Sequence, residues 1–161
     1  MLPAKKILCP TDFSEHSYKA VKAAEELAKE LSARLLLVHV VPPVPVSSEL
    51  QTGPSGYSAP ASAGAFNITE YLKELKAQAE KSLDEVVKNK IKKDIDIEKV
   101  VLTGGEESDE INKFAEDKDI DLIVISTHGR TGLERLVFGS VAEKIIRHSQ
   151  KPVLTIRSME K

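Results

Sequence analysis

The chain has 161 residues, with 23 lysines and arginines set against 25 aspartates and glutamates for a formal net charge of −2. That length supplies one domain with a full core, and the charge balance offers no net basic surface to nucleic acid or an anionic membrane. The single cysteine, Cys9, excludes an intrachain disulfide. No apolar run approaches a membrane span and Met1 to Lys6 lacks the apolar region of a secretory signal, so a cytoplasmic protein is expected.

Lys5 to Pro10 (KKILCP) reads as a short buried strand closed by a proline, which cannot donate to a sheet ladder. Thr11 to Ser14 turn the chain into a helix, with Ser14 as the N-cap and Phe13 placed to staple onto Tyr18. Along that helix Ala20, Val21, Ala24, Leu27, Ala28 and Leu31 recur at helical spacing, while Lys22, Glu25, Glu26 and Lys29 fall off the stripe. Arg34 to Val41 (RLLLVHVV) is almost unbroken apolar sequence, the pattern of a strand covered on both faces, and His39 reads as one of its core residues.

Residues 42–66 hold five of the eight prolines together with Gly53, Gly56 and Gly64. Such a stretch buries little and is expected to be a mobile loop, either a lid or partner-binding segment or a dispensable insertion. Asn67 with Glu70 forms a capping signature for a second helix, whose apolar seam runs through Ile68, Leu72, Leu75, Ala79, Leu83, Val86 and Val87. Its lysines are interleaved with acidic residues, and Asp84 with Lys88 makes a favourable pair one turn apart, so they read as a solvated face. Ile95 to Thr103 alternates as a strand with one less buried face, and Gly104-Gly105 ends it. A short helix from about Glu107 to Asp117 then buries Ile111, Phe114 and Ala115, with Glu106, Glu107 and Asp109 suiting the positive end of its dipole.

Leu122 to Ile125 is a second doubly buried strand, left through the polar turn Ser126, Thr127, His128 and Gly129. Nine residues on, Gly139-Ser140 precede Val141, Ala142, Ile145 and Ile146 at helical spacing. Ser140 with Glu143 reads as a capping box, placing the helix start at Ser140. Lys151 to Arg157 closes the chain as a fifth strand.

Strands alternating with helices call for a five-stranded, doubly wound parallel sheet with right-handed crossovers and helices on both faces. Ligands in such sheets sit beyond the C-terminal strand ends where the strand order switches. Pro10 to Asp12, Val40, and Ser126 to Ser140 are expected to converge there, and the bends at Gly129 and Gly139-Ser140 offer backbone amides with little bulk, a cradle for an anion such as phosphate. No GxxxxGK[ST] loop and no GxGxxG after the first strand occurs. A receiver-type phosphoacceptor aspartate would end the third strand, where Val101 to Gly104 stand instead.

Gly129, the nine residues Arg130 to Phe138, and Gly139-Ser140 resemble the motif of the nucleotide-binding universal stress proteins: Gly-x-x-Gly, nine residues, then Gly-Ser or Gly-Thr. The first motif glycine falls on Ser126, whose Cβ either crowds a phosphate tail or whose hydroxyl donates to it. The resemblance covers nearly the whole chain outside the 42–66 loop. It implies one Rossmann-like domain over residues 1–161 with a site for ATP or another adenine nucleotide, with or without Mg2+. It further implies a role in stress response with little or slow hydrolysis, and a homodimer with an unidentified regulatory protein partner.

The same resemblance carries Pro10, Thr11, Asp12 and Val40 to the adenosine, Val40 acting through its backbone. Gly129, Arg130, Gly139, Ser140 and Val141 would surround the phosphates, within reach of Ser126 and His128, and Ile125 and Thr127 complete the expected nucleotide-binding set. Asp12 either accepts from a ribose hydroxyl or adenine amine, or serves its own turn. Arg130 either clamps a phosphate or is solvated, and Ser140 can both cap and bind. No residue reads as a general base for hydrolysis. Val153 to Ile156, as an edge strand, would pair antiparallel with a two-fold mate. A nucleotide-free dimeric regulatory module of the same fold is the alternative.

Overall fold

The computed structural model describes residues 4–43, 68–92, 94–127 and 139–157. In chain order the elements are β1 (Lys6–Pro10), α1 (Glu15–Leu31), β2 (Arg34–Val41), α2 (Ile68–Lys90), β3 (Ile97–Thr103), α3 (Glu107–Asp117), β4 (Leu122–Ser126), α4 (Ser140–His148) and β5 (Val153–Ile156). The expected loop lies outside the described residues from 44 onward, as does the Asn67 cap.

All strand pairings are parallel, in the order β3-β2-β1-β4-β5. The chain builds outward from β1 through β2 to β3, then returns so that β4 lies against the other side of β1, with Ile7 opposite Leu122 and Leu8 opposite Ile123. The switch therefore falls between β1 and β4, the pair from whose C-terminal ends a crevice opens.

Strand alternation sorts the core into two layers. Ile7, Cys9, Leu35 and Leu37 pack against Ala20, Val21, Ala24 and Ala28 of α1 and Leu83 and Val86 of α2. Leu8, Leu36, Val38 and Ile123 face the other way, against Ile111 and Ala115 of α3 and Ala142 and Ile145 of α4. Two helices thus cover each face. The small side chains of α1 let it lie close over the strands, and its contacts reach β1, β2, β4 and β5.

Ser14 caps α1 as expected, accepting from the Ser17 amide, and Ser32 ends it in the left-handed region at φ 50°. Three local expectations are corrected. Glu25 is buried at 4% exposure because its carboxylate accepts the Lys92 amide just beyond α2, a bond that ties two helices together. Leu31, placed on the apolar stripe, is 38% exposed at the end of the helix. Asp84 pairs with Lys99 across to β3, so strand contact takes the carboxylate expected for Lys88. On α2 the fully buried positions begin at Ala79; Ile68, Leu72 and Leu75 are only half-buried.

Candidate functional site

A cavity of about 290 Å³ opens at the C-terminal ends of β1, β2 and β4. Pro10, Thr11 and Asp12 line it from β1, Val40 from β2, Ile125, Ser126 and Thr127 from β4, and Gly139, Ser140 and Val141 from the start of α4. Those predicted residues, separated by up to 131 positions in the chain, are brought together by the strand order. His128, Gly129 and Arg130 lie outside the described residues.

The β1–α1 turn is held by a closed set of hydrogen bonds. The Thr11 amide donates to Val38 O at 2.8 Å, and Thr11 Oγ1 accepts from the Phe13 amide at 3.1 Å. Ser17 Oγ donates to Ser14 O at 2.8 Å, so in its 2.9 Å contact with Thr11 the threonine hydroxyl is the donor. Asp12 Oδ1 accepts from the Ser14 amide at 3.0 Å and from its hydroxyl, so Asp12 serves its turn while its side chain also lines the cavity. Phe13 sits at φ 64°, costly for a bulky residue. Its ring partner is His39, with centroids 4.4 Å apart, rather than the Tyr18 staple expected.

His39 had read as core and is instead half-buried in the cavity wall. Its Nδ1 lies 2.8 Å from Thr11 O, and because a carbonyl only accepts, Nδ1 carries the proton. Period-two alternation contains the signal: Val38 and Val40 point toward α3 and α4, so His39 must face the α1 side, over the turn. Ser17, Pro42, Glu107 and Ala142 also line the cavity and were missed. Glu107 was findable, because the rule about strand ends applies to β3 as well as to its neighbours.

At α4 the capping box does not form. Gly139 is the N-cap, Ser140 is the first helical residue, and among the described residues no side chain caps this end. The Glu143 amide bonds Gly139 O at 2.9 Å, while the Glu143 carboxylate pairs with Arg147 at 2.9 Å instead of reaching back. The amides of Ser140, Val141 and Ala142, which precede the first intrahelical bond, therefore mark the positive end of the helix at the cavity. The Gly139 amide donates to Thr127 O at 2.6 Å, fastening the helix start to the end of β4. Ser126 is buried at 7% exposure and contributes to the wall, yet the hollow stays open beside it.

The described lining carries two carboxylates, Asp12 and Glu107, and one imidazole. Next to Glu107 in the chain, Glu106 is held below the usual carboxylate range, first by its bond to Lys144 and then by Ser108 Oγ, and Lys144 is raised in turn. Cys9 is no nucleophile: complete burial pushes its thiol up to about 12. Among the described residues no group of three His, Cys, Asp or Glu side chains is placed to hold a metal ion, and no helix is long and apolar enough to cross a membrane. Among the described residues the lining thus combines these polar side chains with backbone amides and apolar walls.

A parallel sheet of this order with helices on both faces defines an α/β domain of the doubly wound class. The family model of the universal stress proteins matches residues 3–157, and the chain belongs to that family. The universal stress protein MJ0531 of Methanocaldococcus jannaschii is 37% identical over 157 residues, covering 98% of this chain and 84% of its own. MJ0577 of the same organism is 33% identical over 164 residues, covering 95% and 94%. The solved structure of MJ0577 superposes with a TM-score of 0.77 at 28% identity, covering 99% of this chain and all of the other. The fold is also shared by a universal stress protein of Archaeoglobus fulgidus in complex with dAMP, with a TM-score of 0.58 at 23% identity over 97% of this chain and 99% of the other. A further universal stress protein, in complex with cAMP, has a TM-score of 0.60 at 19% identity over 98% and 99%.

Proposed function

We propose that this universal stress protein is an adenine-nucleotide-binding module of stress response that holds ATP, ADP or AMP and hydrolyses it slowly if at all. The observation that carries the reading is the cavity at the β1/β4 switch, which has strand ends on one side and a helix N-terminus on the other. A nucleotide has matching halves. The base fits against Pro10, Val40 and the backbone of β2, and the ribose meets Asp12. The phosphates go to the amides of α4, with Ser126, Thr127, Ser140 and the motif residues His128, Gly129 and Arg130. One helix N-terminus contributes about 0.3 to 1 kcal/mol toward a surface anion and about 2 when partly buried, so several groups act together. The dAMP and cAMP complexes within the same fold support this choice of chemistry. Any Mg2+ would be held mainly by the phosphates, as the described side chains gather no metal group of their own.

The same reading makes the protein a cytoplasmic homodimer joined through the outer edge of β5, where Leu154 is 39% exposed, and answering to a regulatory protein partner. The alternative, a nucleotide-free module of the same fold, is favoured by the Ser126 side chain in the wall. Mass spectrometry of the protein as purified, followed by calorimetric titration with ATP, ADP and AMP, separates the two. Bound or titratable adenine nucleotide, weakened by Gly139→Val and by Asp12→Asn, supports the first. Asparagine retains the oxygen that serves the turn and replaces the other with an NH2 group, so that variant tests the charge and the second acceptor together. A folded protein that binds none of the three replaces the first reading with the second.

A further inference from the structure

Glu107 is an acidic residue of the cavity lining that lies outside the motif. It follows β3 through a turn that is pinned on both sides. Gly104 takes φ 144°, and the Gly105 amide donates to Glu110 Oε1 at 2.9 Å. A Cβ on Gly104 would stand 3.0 Å from that same oxygen. Glu106 is bonded to Lys144 of α4 and accepts from Ser108 Oγ at 3.1 Å. Between these anchors Glu107, the first residue of α3, is half-buried against the cavity while Glu106 beside it is exposed.

The strand order places this residue beyond β3 and next to the end of β2, on the side of Val40 and Pro42, away from the β4 end that carries Thr127. A carboxylate only accepts hydrogen bonds, and it repels phosphate. A wall position on the β2 side therefore suits a ligand group that donates. Resting on the nucleotide reading above, we propose that Glu107 selects the base, accepting a hydrogen bond from the exocyclic amino group of an adenine-type ring. Amide and carbonyl groups of β2 recognise such a ring by its edge; Glu107 adds a charged acceptor that a ring without the amino group cannot use.

The test compares AMP with purine riboside 5′-monophosphate, which differs only in lacking the amino group, by calorimetry on the full chain. The intact protein is expected to prefer AMP by on the order of tenfold, the scale of one hydrogen bond to a charged group. Glu107→Ala should lose most of the AMP preference, keeping only what the β2 carbonyls supply, with the amine-free ligand held as before, and Glu107→Gln, which keeps an acceptor oxygen, should fall between the two. An AMP preference that Glu107→Ala leaves undiminished, or affinities for both ligands that shift in parallel, overturns the proposal. An intact protein that binds neither ligand, and neither ATP nor ADP, overturns the nucleotide reading itself, a result distinct from either.

Discussion

The imidazole of His39 donates from Nδ1 to the backbone carbonyl of Thr11 across 2.8 Å, although 28 positions separate the two residues. Phe13, two residues past Thr11, stacks on the same ring at a positive φ. One side chain at the end of β2 therefore fixes the shape of the turn that supplies Thr11 and Asp12 to the cavity. Replacing it with phenylalanine keeps a ring for Phe13 but strands the carbonyl. His39→Phe is expected to lower stability by about 1 to 3 kcal/mol and to weaken adenine-nucleotide binding more than Pro42→Ala does. Urea denaturation and calorimetry measure the two effects.

Ser126 tests the phosphate end. Its side chain stands in the wall at 7% exposure, so Ser126→Gly removes a Cβ and a hydroxyl from the hollow. If the Cβ crowds a polyphosphate tail, ATP affinity rises relative to AMP. If the hydroxyl donates to the tail, ATP affinity falls by on the order of tenfold while AMP changes little. Ratios of dissociation constants for the two nucleotides in both proteins decide the matter.

Leu83 is fully buried and is the middle of the three residues by which α2 docks on the sheet, between Ala79 and Val86. Leu83→Ala is expected to cost about 2 to 5 kcal/mol. Because the α2 layer lies on the sheet face opposite α3 and α4, nucleotide affinity in the folded fraction should stay within about twofold. A denaturation curve and a titration on the same sample check both statements.

Cys9 carries a thiol raised to about 12 by burial. The sign follows directly: an unfolded thiol ionises near its ordinary value and the folded one does not, so between the two the unfolded state binds fewer protons and stability falls as pH rises. Below the ordinary thiol range the group has no such effect. Ellman's reagent at pH 8 should leave the native thiol unlabelled over a time in which the urea-unfolded chain reacts fully, and stability should decline from about pH 9 upward.

Leu154→Asp places a charge on the exposed edge strand. A protein joined through β5 would fall to monomer mass in sedimentation at micromolar concentration while keeping its circular dichroism; an unchanged mass refutes that mode of assembly.

Much of this architecture is legible in the sequence because the strong signals are periodic. The unbroken apolar runs at Leu35 to Val38 and Leu122 to Ile125 gave central parallel strands, and the small-residue stripe of α1 gave its buried face. The convergence of Pro10, Val40, Ser126 and Gly139 followed from a topological rule that needs only element order. What escaped the sequence depends on partners distant in the chain. Glu25 looked solvent-facing because nothing near it announces the Lys92 amide, and Ser140-Glu143 looked like a capping box until Arg147 offered the glutamate a better partner one turn on. His39 was hidden for the opposite reason, since it sits inside an apolar run and its partner is a carbonyl, which leaves no trace in composition.

Thr127 sits where two parts of the molecule meet. Its amide donates to Ile156 O on the outermost strand at 3.1 Å, and its carbonyl accepts from the Gly139 amide at 2.6 Å. A single residue thus spans the gap between the border of the sheet and the mouth of the hollow. The edge strand and the start of α4 are therefore joined by main-chain hydrogen bonds.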